Sequence, residues 1–222
     1  MNEFKNLIIV CEGPTEKEFC NTILSPYFTS HKIAIHPPLI KKTGGGIVNW
    51  EALKHQITTH LKQEKTCFVT TLIDYYGINT NHKYPEWAQA MNLSDIYQRM
   101  SHLENAMITS IDTDLQSRFI PYLQLHEFEA LLFSDEIVLE KEIKDTKRIT
   151  ELRKIVAEYP NPEMINNNKT TAPSKRLENL ILGYSKPIMG ILLAEEIGLL
   201  TMRKKCQHFH EWIIRIETSL LK

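Results

Sequence analysis

The stretch IIVCEGPTEKEF, residues 8–19, decides the fold. An apolar run rich in β-branched residues stops at Glu12. Gly13 and Pro14 then turn the chain, and a second acid, Glu16, follows. The full run, NLIIVC (6–11), is continuously apolar rather than alternating, which is the pattern of a strand covered on both faces. Behind the turn, Phe19, Ile23 and Leu24 recur at helical spacing. Thr15 with Glu18 three residues on has the form of a capping box, so a helix is expected over 15–28.

Outward from this unit the alternation continues. KIAIHPPLI (32–40) alternates and runs into prolines, which marks a second, peripheral strand. A triple glycine (44–46) follows. It lacks the Gly-Lys-Ser/Thr ending of a P-loop and either presents backbone amides or simply turns. NWEALKHQITTHLKQ (49–63) is helical, with Leu53, Ile57 and Leu61 four apart. TCFVTTLIDYYG (66–77) is a third strand, again ending in an acid, Asp74. Strands alternating with helices imply a parallel sheet with helices on its faces. In such sheets ligand sites collect at the carboxyl ends of the strands, where both Glu12 and Asp74 fall.

Residues 78–92 form a polar loop of functional length, and 93–111 a helix. RFIPYLQLHEFEALLFSD (118–135) reads as a fourth strand running into a helix, with His126, Glu127 and Glu129 at the junction. Beyond 135 the chain is helical, near 147–158, 174–183, 186–197 and 204–221. The expectation is an α/β protein with a parallel sheet of about four strands, a core at 1–135 and a helical part at 136–222 packed on it as one unit.

The 222 residues are 42% hydrophobic and 24% charged, enough to bury a core without disulfides. No apolar run approaches the roughly 20 residues that span a bilayer, so no membrane role is expected. The polar MNEFKN start has no signal-peptide pattern. Cys11, Cys20, Cys67 and Cys206 form no C-x-x-C pair and read as reduced thiols of a cytoplasmic protein. The net charge of −1 is uneven: residues 169–222 carry nine Lys and Arg against five acids, while 1–168 carry 17 against 22. An acidic part beside a basic part suits a metal site next to a polyanion surface, or is ordinary surface variation.

The candidate site is acid-rich: Glu12, Glu16, Asp74, Glu127 and Glu129. Clustered carboxylates without cysteines select hard cations such as Mg²⁺ or Mn²⁺, which relieve their mutual repulsion. Such an ion serves phosphate chemistry. Each acid also has a plainer role. Glu12 ends a strand, Glu16 sits in a first helical turn where the dipole favours any acid, and Asp74 caps the next segment. Glu127 and Glu129 diverge by roughly 200° if both are helical, so one ion takes only one of them unless the helix starts between them. His126 is a ligand or a packed histidine. APSKRL (172–177) puts Lys175 and Arg176 at a helix start, where amides and cations can clamp phosphate, or where a solvated basic turn simply stands. HFH (208–210) has the wrong spacing for one helix face and reads as structural.

IIVCEGPTEKEF, LIDYYG and PYLQLHEFEALLFSD, followed by APSKRL and MRKKCQHFHEWI, resemble the DUF4276 family of bacterial proteins over nearly the whole chain. That family looks like a TOPRIM-type Rossmannoid domain, similar to the nuclease domains of the OLD family. The resemblance implies Mg²⁺ (or Mn²⁺) bound through Glu12 and Asp74, with Glu16 as the second acid. It implies Glu127 or Glu129 as a later ligand and Lys175 as the lysine at the scissile phosphate, with Arg176 beside it. One departure stands out. The TOPRIM D-x-D reads DYY here, so Tyr76 replaces the second aspartate, and Glu127 or Glu129 must supply that carboxylate or one metal position weakens.

The implied function is a metal-dependent nuclease acting on DNA or RNA in anti-phage defence. Its partner would be an ABC- or OLD-type ATPase, because the sequence has no Walker motif, and homo-oligomers remain open. The alternative is a catalytically weak TOPRIM-like subunit that binds or regulates such an ATPase.

Overall fold

The computed structural model describes residues 4–41, 47–165 and 170–221. The triple glycine at 44–46 lies outside the described residues. The chain divides into two units, Met1–Leu123 with Ile214–Lys222, and Gln124–Ile213. The divisions fall at 123/124 and 213/214; the 135/136 boundary was expected from the helical run beyond residue 135.

The first unit is an α/β layer. Its elements are β1 (Lys5–Cys11), α1 (Pro14–Phe19), α2 (Ser25–Ser30), β2 (Ile33–His36), α3 (Trp50–Gln63), β3 (Phe68–Asp74), α4 (Trp87–Met91), α5 (Ile96–Thr109), α6 (Thr113–Gln116), β4 (Phe119–Ile120) and β5 (Leu123–Gln124). The sheet order is β2-β1-β3-β4, with β5 also pairing β3. The β1–β2, β1–β3 and β3–β4 pairs are parallel. This is a Rossmann-like sheet of five strands flanked by helices. The continuous apolar runs explain the centre: Leu7, Ile9, Val10, Val69, Leu72 and Ile73 are fully buried, as strands covered on both faces must be. Leu53, Ile57 and Leu61 bury the apolar stripe of α3, which Asn49 caps by accepting the Ala52 N–H at 2.9 Å.

Three local expectations are corrected. Gly13, not Thr15, is the N-cap of the first helix; Pro14 with its preset φ occupies the first turn and Thr15 is buried. Glu18 instead holds Thr22 at 3.2 Å. The helix over 15–28 is interrupted by a π turn, Cys20–Leu24, directly ahead of Pro26. Proline has no N–H and crowds the carbonyl four residues back, and a wider turn accommodates both effects. The fourth strand is split into β4 and β5 at Pro121–Tyr122, and Thr71 Oγ1 holds the break by donating to Tyr122 O at 2.7 Å and accepting its N–H at 2.9 Å.

The second unit is helical. A 3₁₀ segment, Phe128–Ser134, stands where an α-helix was expected. It is followed by α7 (Glu136–Glu142), α8 (Thr146–Glu158), α9 (Pro173–Leu180), α10 (Ile191–Ile197), α11 (Leu199–Lys205) and α12 (Gln207–Leu220), of which the residues from Ile214 on belong to the first unit. Helix α11 had no counterpart in the sequence reading; Gly198, at φ 77°, separates it from α10. Phe128, Leu131, Leu132, Leu152, Leu177 and Phe209 are among its fully buried side chains. No described helix is long and apolar enough to cross a membrane.

Candidate functional site

Glu12 is held from both sides. In the strand before it, Cys11 donates to Pro38 O and accepts from the Ile40 N–H, each at 2.9 Å. Pro37 and Pro38 lack N–H groups, so β2 stops at His36 and the chain rejoins β1 only at Leu39, bridged to Cys11. On the other side the Glu12 N–H donates to Leu72 O at 3.1 Å. The Glu12 side chain then crosses to the neighbouring strand end, where its Oε2 accepts the Asp74 N–H at 3.0 Å. Bond lengths limit the reach from a backbone nitrogen to its own aspartate oxygens to about 4.7 Å, so the Glu12 and Asp74 carboxylates lie within about 8 Å of each other.

Glu16 is buried on the third residue of α1. A Cβ added at Gly13 would meet its Oε2 at 3.0 Å. The carboxylate is therefore turned back over the cap, and Gly13 leaves it room. The buried thiols of Cys11 and Cys20 lie with their sulfurs 3.7 Å apart. Burial pushes the Cys20 thiol well up, with Cys11 and the Glu16 charge adding to it. All four cysteines are free and buried.

After Asp74 the two tyrosines diverge. Tyr75 is tied to Arg99 at 3.5 Å and to the Met91 sulfur at 3.6 Å. Tyr76, in the position of the missing aspartate, is 39% exposed. The 78–92 segment is not merely a polar loop. It drives Tyr84 into the core, with its ring 5.7 Å from that of Trp50. Burial raises the Tyr84 phenol above its ordinary pKa, and the Glu12 charge raises it further.

The second unit gathers its own group. His126 has φ 66°, the left-handed region that a non-glycine residue rarely enters, and burial lowers its pKa to about 4. Glu127 precedes the 3₁₀ segment in extended conformation, so the helix start falls between the two glutamates. Its Oε2 accepts the Ser174 N–H at 3.0 Å, in the first turn of α9, where helix amides favour an anion. Glu129 is buried with Lys186 Nζ 3.2 Å from its Oε2. Burial raises the Glu129 pKa, against the pull of Lys186, and Glu127 raises it further. Lys175 is paired with Glu178 at 2.6 Å. Arg176 donates to Thr171 O at 2.8 Å and lies over the Tyr159 ring.

The DUF4276 family, described as a domain of unknown function, matches residues 11–217. The chain belongs to this family. No curated protein and no solved structure matches it. The DUF4276 segment takes in every acid and cation named above.

Among the described residues no three His, Cys, Asp or Glu side chains form a metal cage. The strand-end pair fits a smaller requirement. Mg²⁺ commonly takes one or two carboxylates and fills its octahedron with waters and substrate phosphate, and Glu12 and Asp74 supply two. The two strand-end acids were legible in the sequence; the burial of Tyr84 was not. A tyrosine inside a polar loop gives no periodic signal. Glu163 was missed for the same reason: it stands in a Pro/Asn-rich turn, yet it is fully buried and accepts the His208 and Phe209 N–H groups at 2.8 and 2.9 Å.

Proposed function

We propose that this DUF4276 protein is a metal-dependent phosphodiester hydrolase acting on nucleic acid, as an effector beside an ATPase partner. The observation that carries the reading is the 3.0 Å bond from the Asp74 N–H to Glu12 Oε2, which draws two acids from adjacent parallel strands to one carboxyl edge of the sheet. Packed carboxylates of this kind are relieved by a hard cation. Glu12 and Asp74 are the ligands of Mg²⁺ or Mn²⁺ in this reading. Bound there, the ion would neutralise phosphoryl oxygens and favour ionisation of an attacking water.

The protein's own groups do the rest. The sheet fixes Glu12 through its backbone bonds, so its carboxylate keeps its place as charge develops. Glu16, buried over Gly13, orients water at the same edge. The second unit, taken by itself, carries a separate phosphate-binding candidate: Lys175, in an exposed pair with Glu178, exchanges it for a phosphate at little cost, because exposed ion pairs contribute little, and Arg176 adds a second cation. The TOPRIM-like assignment rests on the strand-end acids. The non-catalytic alternative rests on Tyr76, a poor cation ligand where a second aspartate would stand.

The test is cleavage of DNA and of total RNA in Mg²⁺ or Mn²⁺, with and without a candidate ATPase, by the wild type, Glu12→Ala and Asp74→Ala. Loss of cleavage in both variants is expected. Cleavage surviving both substitutions sinks the site assignment. No cleavage under any condition, with no Mg²⁺-induced rise in melting temperature, leaves the binding-subunit reading.

A further inference from the structure

Three aromatic side chains past the end of β3, Tyr75, Tyr76 and Trp87, stay partly open to solvent. Tyr75 follows Asp74 directly, and its ring packs on that of Trp87 with centroids 5.9 Å apart and planes inclined by 35°. The Trp87 ring therefore lies within about 14 Å of the Asp74 Cα. Tyr75 is held at its hydroxyl. Arg99, itself bonded to Leu93 O at 2.6 Å, reaches that oxygen at 3.5 Å, and the hydroxyl reaches the Met91 sulfur at 3.6 Å. Trp87 is held by its backbone. Lys83 and Glu86 take left-handed φ values of 54° and 53°, a strained state for residues other than glycine. Between them Tyr84 is buried, and its carbonyl accepts the Trp87 N–H at 3.3 Å. Even so, Tyr75 and Trp87 are only half-buried, and Tyr76 is 39% exposed. Full burial of such rings would stabilise the fold more. Strained backbone that instead holds aromatic faces at the surface, next to the strand-end acids, points to a flat ligand.

We propose that Trp87 and Tyr76 stack bases of a single-stranded nucleic acid whose phosphate lies at the Glu12–Asp74 edge. The proposal rests on the hydrolase reading above and names its substrate class. Every base has a π-face, and stacking on an aromatic side chain is tolerant of sequence. In a duplex those faces are covered by neighbouring bases, so the rings take them only from a single strand or an unpaired end. A stacked strand advances about 3.4 Å per nucleotide, which brings a base to Trp87 within about four nucleotides of the acids.

The full chain, Trp87→Ala, Trp87→Phe, Tyr76→Ala and Glu12→Gln are compared by fluorescence anisotropy in Ca²⁺. The probes are a short fluorescein-labelled single strand, as DNA and as RNA, its duplex, and a strand of equal length built of abasic spacers. Stacking of one base is worth about fivefold or more in affinity, so Trp87→Ala and Tyr76→Ala should each weaken single-strand binding by at least that factor. Trp87→Phe, which keeps a ring, should lose less. The duplex and the abasic strand should bind the wild type about tenfold or more weakly than the single strand, and the abasic strand should bind Trp87→Ala as it binds the wild type. An abasic strand that loses as much as the base-bearing one overturns the proposal, because the substitution then acts on the fold or on phosphate. Duplex affinity equal to that of the single strand overturns it, as does single-strand affinity within about twofold of wild type in both alanine variants. A wild type that binds no oligonucleotide overturns it as well. If Trp87→Ala does not fold, the exposed Tyr76 and the ring-keeping Trp87→Phe carry the same comparison. The two readings separate. If the wild type cleaves, Glu12→Gln does not, and the alanine variants bind normally, the hydrolase stands and the stacking falls. If the wild type binds single strands through Trp87 without cleaving them, the hydrolase falls and the stacking site stands.

Discussion

Replacing Glu163 tests how the second unit is held. Its carboxylate is fully buried in the short turn Pro162–Met164 and accepts two N–H groups at the start of α12, from His208 at 2.8 Å and Phe209 at 2.9 Å. It acts as an N-cap supplied from outside the helix, filling two of the donors every helix start leaves open. A hydrogen bond to a charged group contributes about 1.5–3 kcal/mol, so two amount to roughly 3–6 kcal/mol. Burial works against them and raises the Glu163 pKa. Glu163→Ala should therefore cost about 3 kcal/mol, a large share of the roughly 5–15 kcal/mol of a whole protein. Glu163→Gln keeps one acceptor and turns an NH₂ toward the other amide, so it should cost about 1–2 kcal/mol. Urea unfolding would read the loss as a lower midpoint at unchanged slope. Native-state hydrogen exchange would read it at the two amides themselves, which should lose protection before the middle of α12 does. The reasoning fails if Glu163→Ala costs less than about 1 kcal/mol, the scale of a surface change, or if both amides stay protected.

Two further outcomes are expected. His126 titrates near 4 in the folded chain against 6.5 for a free histidine. The unfolded chain takes the proton first as pH falls, so the stability His126 contributes is present above pH 6.5 and is lost as pH falls toward 4, on the order of 2–3 kcal/mol. His126→Asn suits the left-handed backbone and should flatten that part of the stability profile measured by urea unfolding between pH 7 and 4; an unchanged slope would refute it. Gly13→Ala places a Cβ 3.0 Å from Glu16 Oε2, at the far end of that side chain. It should cost under about 1 kcal/mol yet lower cleavage about tenfold or more by displacing Glu16. Unchanged cleavage would show that Glu16 serves only the first turn of α1.

The sequence by itself determined the sheet and the place of its acids. Runs such as NLIIVC and FVTTLID can satisfy their apolar side chains only as covered strands, and helical stripes such as Leu53, Ile57 and Leu61 must lie on them. Parallel order and the strand-end positions of Glu12 and Asp74 follow from that alternation. Backbone detail was less legible. Pro14, Pro26 and Pro121 each act on the local hydrogen-bond pattern, and so moved a cap, widened a turn and split a strand. Tertiary structure alone decided the long-range partners: Glu12 with the Asp74 amide, Glu127 with Ser174, Glu129 with Lys186, Glu163 with α12, and Tyr84 with Trp50. The physical reason is one of range. Periodicity reports which side of an element is apolar, a property of neighbours along the chain, whereas a buried polar group is satisfied by whichever distant atom the packing brings within about 3 Å.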